Sequence, residues 1–371
     1  MQTNGKNYFF TSESVCAGHP DKICDQISDA ILDSVLSQDP YGRTAIECLA
    51  GENRLVIAGE IGTNAKVDFE SIAREQIKRL GYTNGDFNFS CNSPIHVYVH
   101  EQSPEIAVGV KKKGAGDQGM MFGFACRETK SLMPIPITIA HALTKKIDEV
   151  REGKILSYLR PDGKSQVTIE YKNGKPYRVT KVVIAVPHKE SVELSDVKND
   201  LYKKVVKPVL EKFDFKINKK DLIVNGTGIW HKGGPASDCG LTGRKIVVDT
   251  YGGYARVGGG AFSGKEPSKV DRGGAYAARY LAKNIVAQGL ADKAEVILAY
   301  FIGAKKPVMQ EVETFGTEKK PKKIIKDFMN RLLDTSVAGI IDGLDLRRPI
   351  YLQTAAYGHF GRPEFPWEKI V

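Results

Sequence analysis

Between Pro20 and Leu36 the chain carries two interleaved four-residue repeats, and any fold it adopts must accommodate both. Ile23, Ile27, Ile31 and Val35 form one series; Asp21, Asp25, Asp29 and Asp33 form the other. A spacing of four puts each series along one side of a helix, with the two stripes facing opposite ways. The apolar stripe demands a core. The acidic stripe costs roughly a few tenths of a kcal/mol per i,i+4 pair unless cations lie near it, so Asp25, Asp29 and Asp33 read either as a solvated face or as part of a charged site. Asp21 differs because His19-Pro20 precedes it. Proline suits the first helical turn, and an imidazole and a carboxylate held at a helix entrance suit a hard cation and a phosphate oxygen.

The remaining pattern alternates strands and helices. Thr44 to Ala50 and Arg54 to Ile61 read as strands around a Gly51-Glu52-Asn53 turn, and Phe69 to Leu80 as a helix. Ile95 to His100 is another alternating strand. Val108 to Gly123 holds Lys111 to Lys113 followed by GAGDQG at 114–119, a mobile connection in this reading. Further on come a helix at Pro136 to Arg151, a hairpin around Asn173-Gly174, a helix at Ser195 to Phe213 and a strand at Arg244 to Asp249. A long helix from Ser268 to Gln288, strands at Glu295 to Ile302 and Met309 to Phe315, and helices near Ile324 to Leu333 and Val337 to Leu344 complete the series. Strands arrive mostly as hairpins and helices in separate blocks, which predicts α+β layers. The length, 371 residues, fits two or three domains, and 42% hydrophobic residues supply a core for each.

Lysine and arginine outnumber aspartate and glutamate by 54 to 44, a formal charge of +10 that favours anionic partners. The bases are dispersed among acids, so they form no single nucleic-acid stripe. Six scattered cysteines without a Cys-x-x-Cys pair predict reduced thiols and a cytoplasmic protein. No apolar leader opens the sequence and no run of about 18 apolar residues interrupts it.

The stretch GGGAFSGKEPSKVDR at 258–272 carries the most chemistry. Gly259 to Lys265 meets the start of a P-loop, but Glu266 stands where the magnesium-binding Ser/Thr belongs. What remains is physical: glycines that let backbone N–H groups approach an anion, and Lys265 and Lys269 four apart at a helix entrance. Asp271 and Arg272 follow, and carboxylates among bases suit a metal-chelated polyphosphate. Asp238 followed by Arg244 and Lys245 repeats the theme more weakly. Asp162-Gly163-Lys164 has the composition of any surface turn. Trp230 reads equally as a stacking platform for a base or as a core residue. A P-loop kinase or ATPase and a basic nucleic-acid-binding protein are the competing readings at this level.

Taken together, FTSESVCAGHPDKICDQISDAILD at 10–33, GAGDQG at 114–119, LRPDGKSQVT at 159–168, DCGLTGRKIVVDTYGG at 238–253, GGGAFSGKEPSKVDR at 258–272 and LQTAAYGHFGR at 352–362 closely resemble the S-adenosylmethionine synthetases over nearly the whole chain. The resemblance implies three similar α+β domains about a pseudo-threefold axis, here 1–104, 120–229 and 230–371, with a gating loop at 105–119. It implies a dimer or dimer of dimers with active sites between subunits. It also implies the reaction: the sulfur of L-methionine attacks C5′ of ATP, and the tripolyphosphate released is hydrolysed to pyrophosphate and phosphate. Nucleic acid and membrane drop out as partners.

By the same resemblance His19 lies at the breaking C5′–O bond, Asp21 and Asp271 bind two Mg²⁺, and Glu47 binds K⁺. Lys164, Arg244, Lys245, Lys265 and Lys269 hold the tripolyphosphate. Glu60, Gln102, Lys269 and Ile302 surround methionine, while Asp117, Asp162 and Asp238 line the nucleoside and methionine region. Two departures stand out. Gly228-Ile229-Trp230 replaces the usual Gly-Arg-Phe, which predicts Trp230 stacked on adenine, and Ala107 to Lys113 is short and basic, which predicts altered lid closure.

Overall fold

The computed structural model describes residues 7–101 and 114–371; Gln102 and most of the expected gating loop lie outside them. Among the described residues the strands form three sheets. Strands are numbered β1 (Tyr8–Val15), β2 (Arg43–Gly51), β3 (Arg54–Gly62), β4 (Ile95–Glu101), β5 (Gly119–Cys126), β6 (Lys164–Lys172), β7 (Lys175–Ala185), β8 (Leu222–Val224), β9 (Gly240–Leu241), β10 (Lys293–Tyr300) and β11 (Met309–Glu313). The sheet orders are β4-β3-β2-β9, β1-β6-β7-β8 and β11-β10-β5.

The three sheets share one plan. Each is centred on an antiparallel hairpin, β2-β3, β6-β7 or β10-β11. Each takes an antiparallel edge strand from elsewhere in the sequence: β9, β1 or β5. Two of them add a parallel strand, β4 or β8, beyond the hairpin. The borrowed strands circulate, because the strand that opens each sequence third joins the sheet of the next third, and the last returns to the first. This exchange is the physical content of the similar budget of elements in each third.

A long helix precedes each hairpin and covers its sheet. These are α1 (Pro20–Gln38), α3 (Ile135–Glu152) and α7 (Val270–Ala287), with α2 (Phe69–Arg79) between the first and second. Ile23, Ile27 and Ile31 of α1 pack with Ile46, Leu55 and Ile57 of β2 and β3. Ile139, Leu143 and Ile147 do the same against Val167, Ile169 and Val182, and Ala278, Leu281 and Ile285 against Phe124, Val296 and Leu298. The approach of α7 to β5 leaves no room for a side chain at Gly123, where a Cβ would sit 1.9 Å from the Ala278 carbonyl carbon.

The shorter helices are α4 (Leu194–Leu201), α5 (Lys207–Glu211), α6 (Ile246–Asp249), α8 (Lys322–Leu332) and α9 (Val337–Gly343). The single helix expected over Ser195 to Phe213 is α4 and α5 joined by a π turn at Tyr202–Val206. The strand expected at Arg244 to Asp249 is instead the helical turn α6. Asp249 N–H donates to the Lys245 carbonyl (2.8 Å), and this i,i+4 relation turns both side chains toward α1. Lys245 pairs there with Asp21, and Asp249 with Lys22. No helix among the described residues is long and apolar enough to cross a membrane.

Candidate active site

The acidic stripe of α1 is buried rather than solvated. Asp21, Asp25 and Asp29 are inaccessible and Asp33 is half-buried. Each carboxylate accepts backbone N–H groups from the far end of the chain: Asp21 from Leu241 (2.9 Å), Asp25 from Gly243 (2.8 Å), Asp29 from Gly264 (2.9 Å), Asp33 from Tyr351 and Leu352 (2.9 and 2.8 Å). Four carboxylates thus hold three loops along one helix. Lys22, inside this row, lies 2.5 Å from Asp249 and 2.9 Å from Asp25. Burial pulls its ammonium down, but the two carboxylates outweigh it and the pKa ends raised.

His19 is the N-cap of α1, its Nδ1 accepting Asp21 N–H (3.2 Å) with proline at the first helical position. Burial, then the charges of Lys245 and Lys164, push the imidazole down to about 3. It is therefore neutral at physiological pH, a hydrogen-bonding group beside two cations. Asp21 also pairs with Lys245, and the Lys245 and Leu241 bonds overcome burial to hold its carboxyl below the usual range.

Asp162 is buried behind this entrance, accepting Gly163 N–H (2.7 Å) and Gly234 N–H (2.8 Å); burial pushes its carboxyl up to about 6. It ties the Lys164 strand to the segment after Trp230. Trp230 is half-buried, its Nε1 donating to the Lys232 carbonyl (2.6 Å). Asp238 and Arg244 are exposed, the Arg244 guanidinium 3.5 Å from the Cys239 carbonyl.

A second cluster surrounds the glycine-rich loop. Lys265 pairs with Asp271 (2.5 Å) and Lys269 with Glu60 of β3 (3.6 Å). Gly260 passes over Asp271 so closely that a Cβ would lie 2.0 Å from its carboxyl carbon. Glu266 is buried, and its oxygens accept Ser268 N–H (2.7 Å) and Ser268 Oγ–H (2.6 Å). That position is spent on the loop's own turn, which is why the P-loop pattern fails there. Sequence reasoning noted Glu266 only as the residue that breaks the P-loop pattern, and its bonds to Ser268 were not read from it.

Ala115 exchanges backbone bonds with Ala304 (2.8 Å) and Gly303 (2.7 Å), which brings exposed Asp117 beside exposed Ile302. A Cβ on Gly119 would lie 3.4 Å from Asp271 Oδ1, so this strip reaches the second cluster. Glu47 and Glu60 lie on the outer face of one sheet, in the rows Glu47-Ala58-Tyr98 and Ala45-Glu60-His100. Gln102 cannot be placed, since it lies outside the described residues.

Lysines paired with carboxylates, bare glycine backbone and helix entrances are the features of an enzyme that binds a polyanion. The sequence is more specific. It matches the N-terminal, central and C-terminal domains of S-adenosylmethionine synthetase at residues 7–104, 112–230 and 232–369. It is 50% identical to the S-adenosylmethionine synthase of Brachyspira hyodysenteriae over 380 residues, covering 98% of this chain and 96% of that protein. It is also 50% identical to that of Treponema denticola over 376 residues, covering 99% and 96%. The chain belongs to the S-adenosylmethionine synthetase family, and it synthesises S-adenosylmethionine from L-methionine and ATP.

Proposed function

We propose that the two lysine–carboxylate clusters together grip the triphosphate of ATP while methionine sulfur attacks C5′, and that they then hold the tripolyphosphate for hydrolysis to pyrophosphate and phosphate. The observation that carries this reading is the pairing of Lys245 with Asp21, Lys265 with Asp271 and Lys269 with Glu60. An arriving polyphosphate exchanges those partners: its oxygens take the ammonium groups, and Asp21 and Asp271 are released toward cations. Lys164 and Arg244 extend the cationic wall. Neutral His19 donates a hydrogen bond to the departing oxygen, and no general base is needed, because the sulfur carries no proton.

The donor set suits two Mg²⁺ that arrive on the nucleotide. Mg²⁺ takes one or two carboxylates, with phosphate oxygens and water completing its shell, and among the described residues no group of three His, Cys, Asp or Glu forms a ready metal cage. Asp21 and Asp271 would each supply one carboxylate. Glu47, exposed on β2, would hold K⁺. Glu60, Lys269, Asp117, Asp238 and Ile302 surround methionine, with Gln102 assigned the same role by resemblance alone, and Trp230 stacks on adenine.

The same reading makes the protein a dimer, or a pair of dimers, in the cytoplasm. Glu47 and Glu60 share their sheet face with Tyr98, which is 65% exposed, and a second copy seated on that face would enclose them.

The test is product analysis with ATP, Mg²⁺ and K⁺, with and without L-methionine. S-adenosylmethionine with equal pyrophosphate and phosphate supports the reading. ADP formed regardless of methionine overturns it.

A further inference from the structure

We infer that Glu266 is a positioning residue for the transfer reaction, setting the turn that aims Lys265 and Lys269 at the polyphosphate. The inference rests on the reading of those two lysines given above.

The loop is fastened firmly on one side. Gly264, at a φ of +81°, presses against β2 so tightly that a Cβ would lie 1.9 Å from the Ile46 carbonyl oxygen. Its carbonyl accepts Thr44 Oγ–H (2.9 Å) and Ile46 N–H (3.2 Å), and its N–H goes to Asp29. Glu266 N–H adds a bond to the Thr44 carbonyl (3.3 Å). On the other side the chain enters α7, whose N-cap is Lys269, a residue with no side-chain acceptor to cap a helix. Ser268, the natural capping type, stands one residue too early, with its hydroxyl turned to Glu266.

Glu266 therefore spans the gap. Its carboxylate gathers both donors of Ser268, and its carbonyl accepts Lys269 N–H (3.0 Å). The first bonded group, Thr44, belongs to the sheet, and the last, Lys269, opens the helix. Between them the two lysines leave the backbone in fixed directions, toward Asp271 and Glu60 respectively. Glu266 is 4% exposed, and both of its carboxylate oxygens are taken by Ser268. Burial pushes its carboxyl up, opposed by Ser268, Lys269 and Arg43. With its oxygens on Ser268 and its carbonyl on Lys269 N–H, it acts on ATP through the lysines on either side.

The experiment compares E266Q, E266D, S268A and the double variant E266Q/S268A in the full chain, with K265A as a control for the loop. Glutamine can still meet Ser268 N–H and its hydroxyl but only through neutral bonds, so E266Q should raise KM for ATP and slow tripolyphosphate hydrolysis by about tenfold, the size of a lost charge-assisted bond. Melting temperature should stay within a few degrees of wild type. Aspartate keeps a carboxylate able to accept an N–H two residues on, so E266D should recover most of the loss. The double variant should be no worse than E266Q, because both changes break the same contact. Wild-type KM and hydrolysis in E266Q, with K265A crippled, overturn the role of Glu266 alone. A loss of active enzyme that follows melting temperature with KM unchanged also overturns it. Full activity in K265A overturns instead the polyphosphate reading of the loop.

Discussion

Asp29 and Arg272 meet in a two-pronged pair, Nη1 to Oδ1 at 2.6 Å and Nη2 to Oδ2 at 2.9 Å, with neither side chain accessible to water. The pair joins the first long helix to the third and places the glycine-rich loop between them, since Asp29 also takes Gly264 N–H and Arg272 donates to the Phe262 and Lys265 carbonyls. Removing one partner strands a buried charge. D29A or R272M should each lose about 3–5 kcal/mol in urea unfolding, and the double variant should lose less than their sum. Additive losses would show that the two groups do not depend on each other.

Asp21 and Lys265 lie in different clusters and should fail differently. If Asp21 is a Mg²⁺ donor as proposed, D21N removes it and weakens the hold on Lys245, so turnover should fall about 100-fold and respond to added Mg²⁺. K265A should fall by a similar factor without responding to Mg²⁺. Circular dichroism should match wild type in both. Kinetics titrated with Mg²⁺ separate the two cases.

The buried histidines contribute to the acid limb of stability. His19 and His141 are both pushed down to about 3, chiefly by burial, against an ordinary value of 6.5. Between those values the unfolded chain binds protons that the folded one does not, so their contribution is complete above pH 6.5 and is lost as pH falls toward 3. Asp162, pushed up to about 6, acts in the opposite sense between its ordinary value and 6: there the folded chain holds the extra proton, and stability declines as pH rises. Urea unfolding of H141Q should show an acid slope shallower by up to about 1.4 kcal/mol per pH unit. The D162N slope should instead become steeper.

Trp230 and Trp367 separate cleanly by fluorescence. Trp367 is buried, stacked on Tyr276 at 3.7 Å and 12°. Non-hydrolysable ATP analogues should quench the half-buried Trp230, and W367F should keep that quench. Its disappearance in W367F would remove Trp230 from the adenine site.

Tyr98 tests assembly. Y98E puts a charge in the row that contains Glu47, so sedimentation should show a shift toward monomer with activity falling in parallel. An intact oligomer in Y98E would move the subunit contact off this face.

The spacing of Ile23, Ile27 and Ile31 and the Asn173-Gly174 turn were enough to locate α1 and the β6-β7 hairpin, because periodicity and turn chemistry are local. The burial of Asp25 and Asp29 was not legible, since their partners, Gly243 and Gly264, are over 200 residues away. The run Ile246-Val247-Val248 has strand composition, yet the pairing of Lys245 and Asp249 with α1 made it helical, a tertiary override of propensity. Motifs marked Lys265, Lys269 and Asp271 as charged groups at a helix start, and their ion pairs are there. Their roles came from resemblance rather than from spacing.

The circulating edge strands also impose an order on synthesis. When a ribosome has released the β2-β3 hairpin, the strand that will flank β2, Gly240–Leu241, has not been translated. The second and third sheets find β1 and β5 already outside the tunnel. The first third must wait with a bare edge for the last, so a nascent chain stalled before residue 240 should be the species most dependent on chaperones.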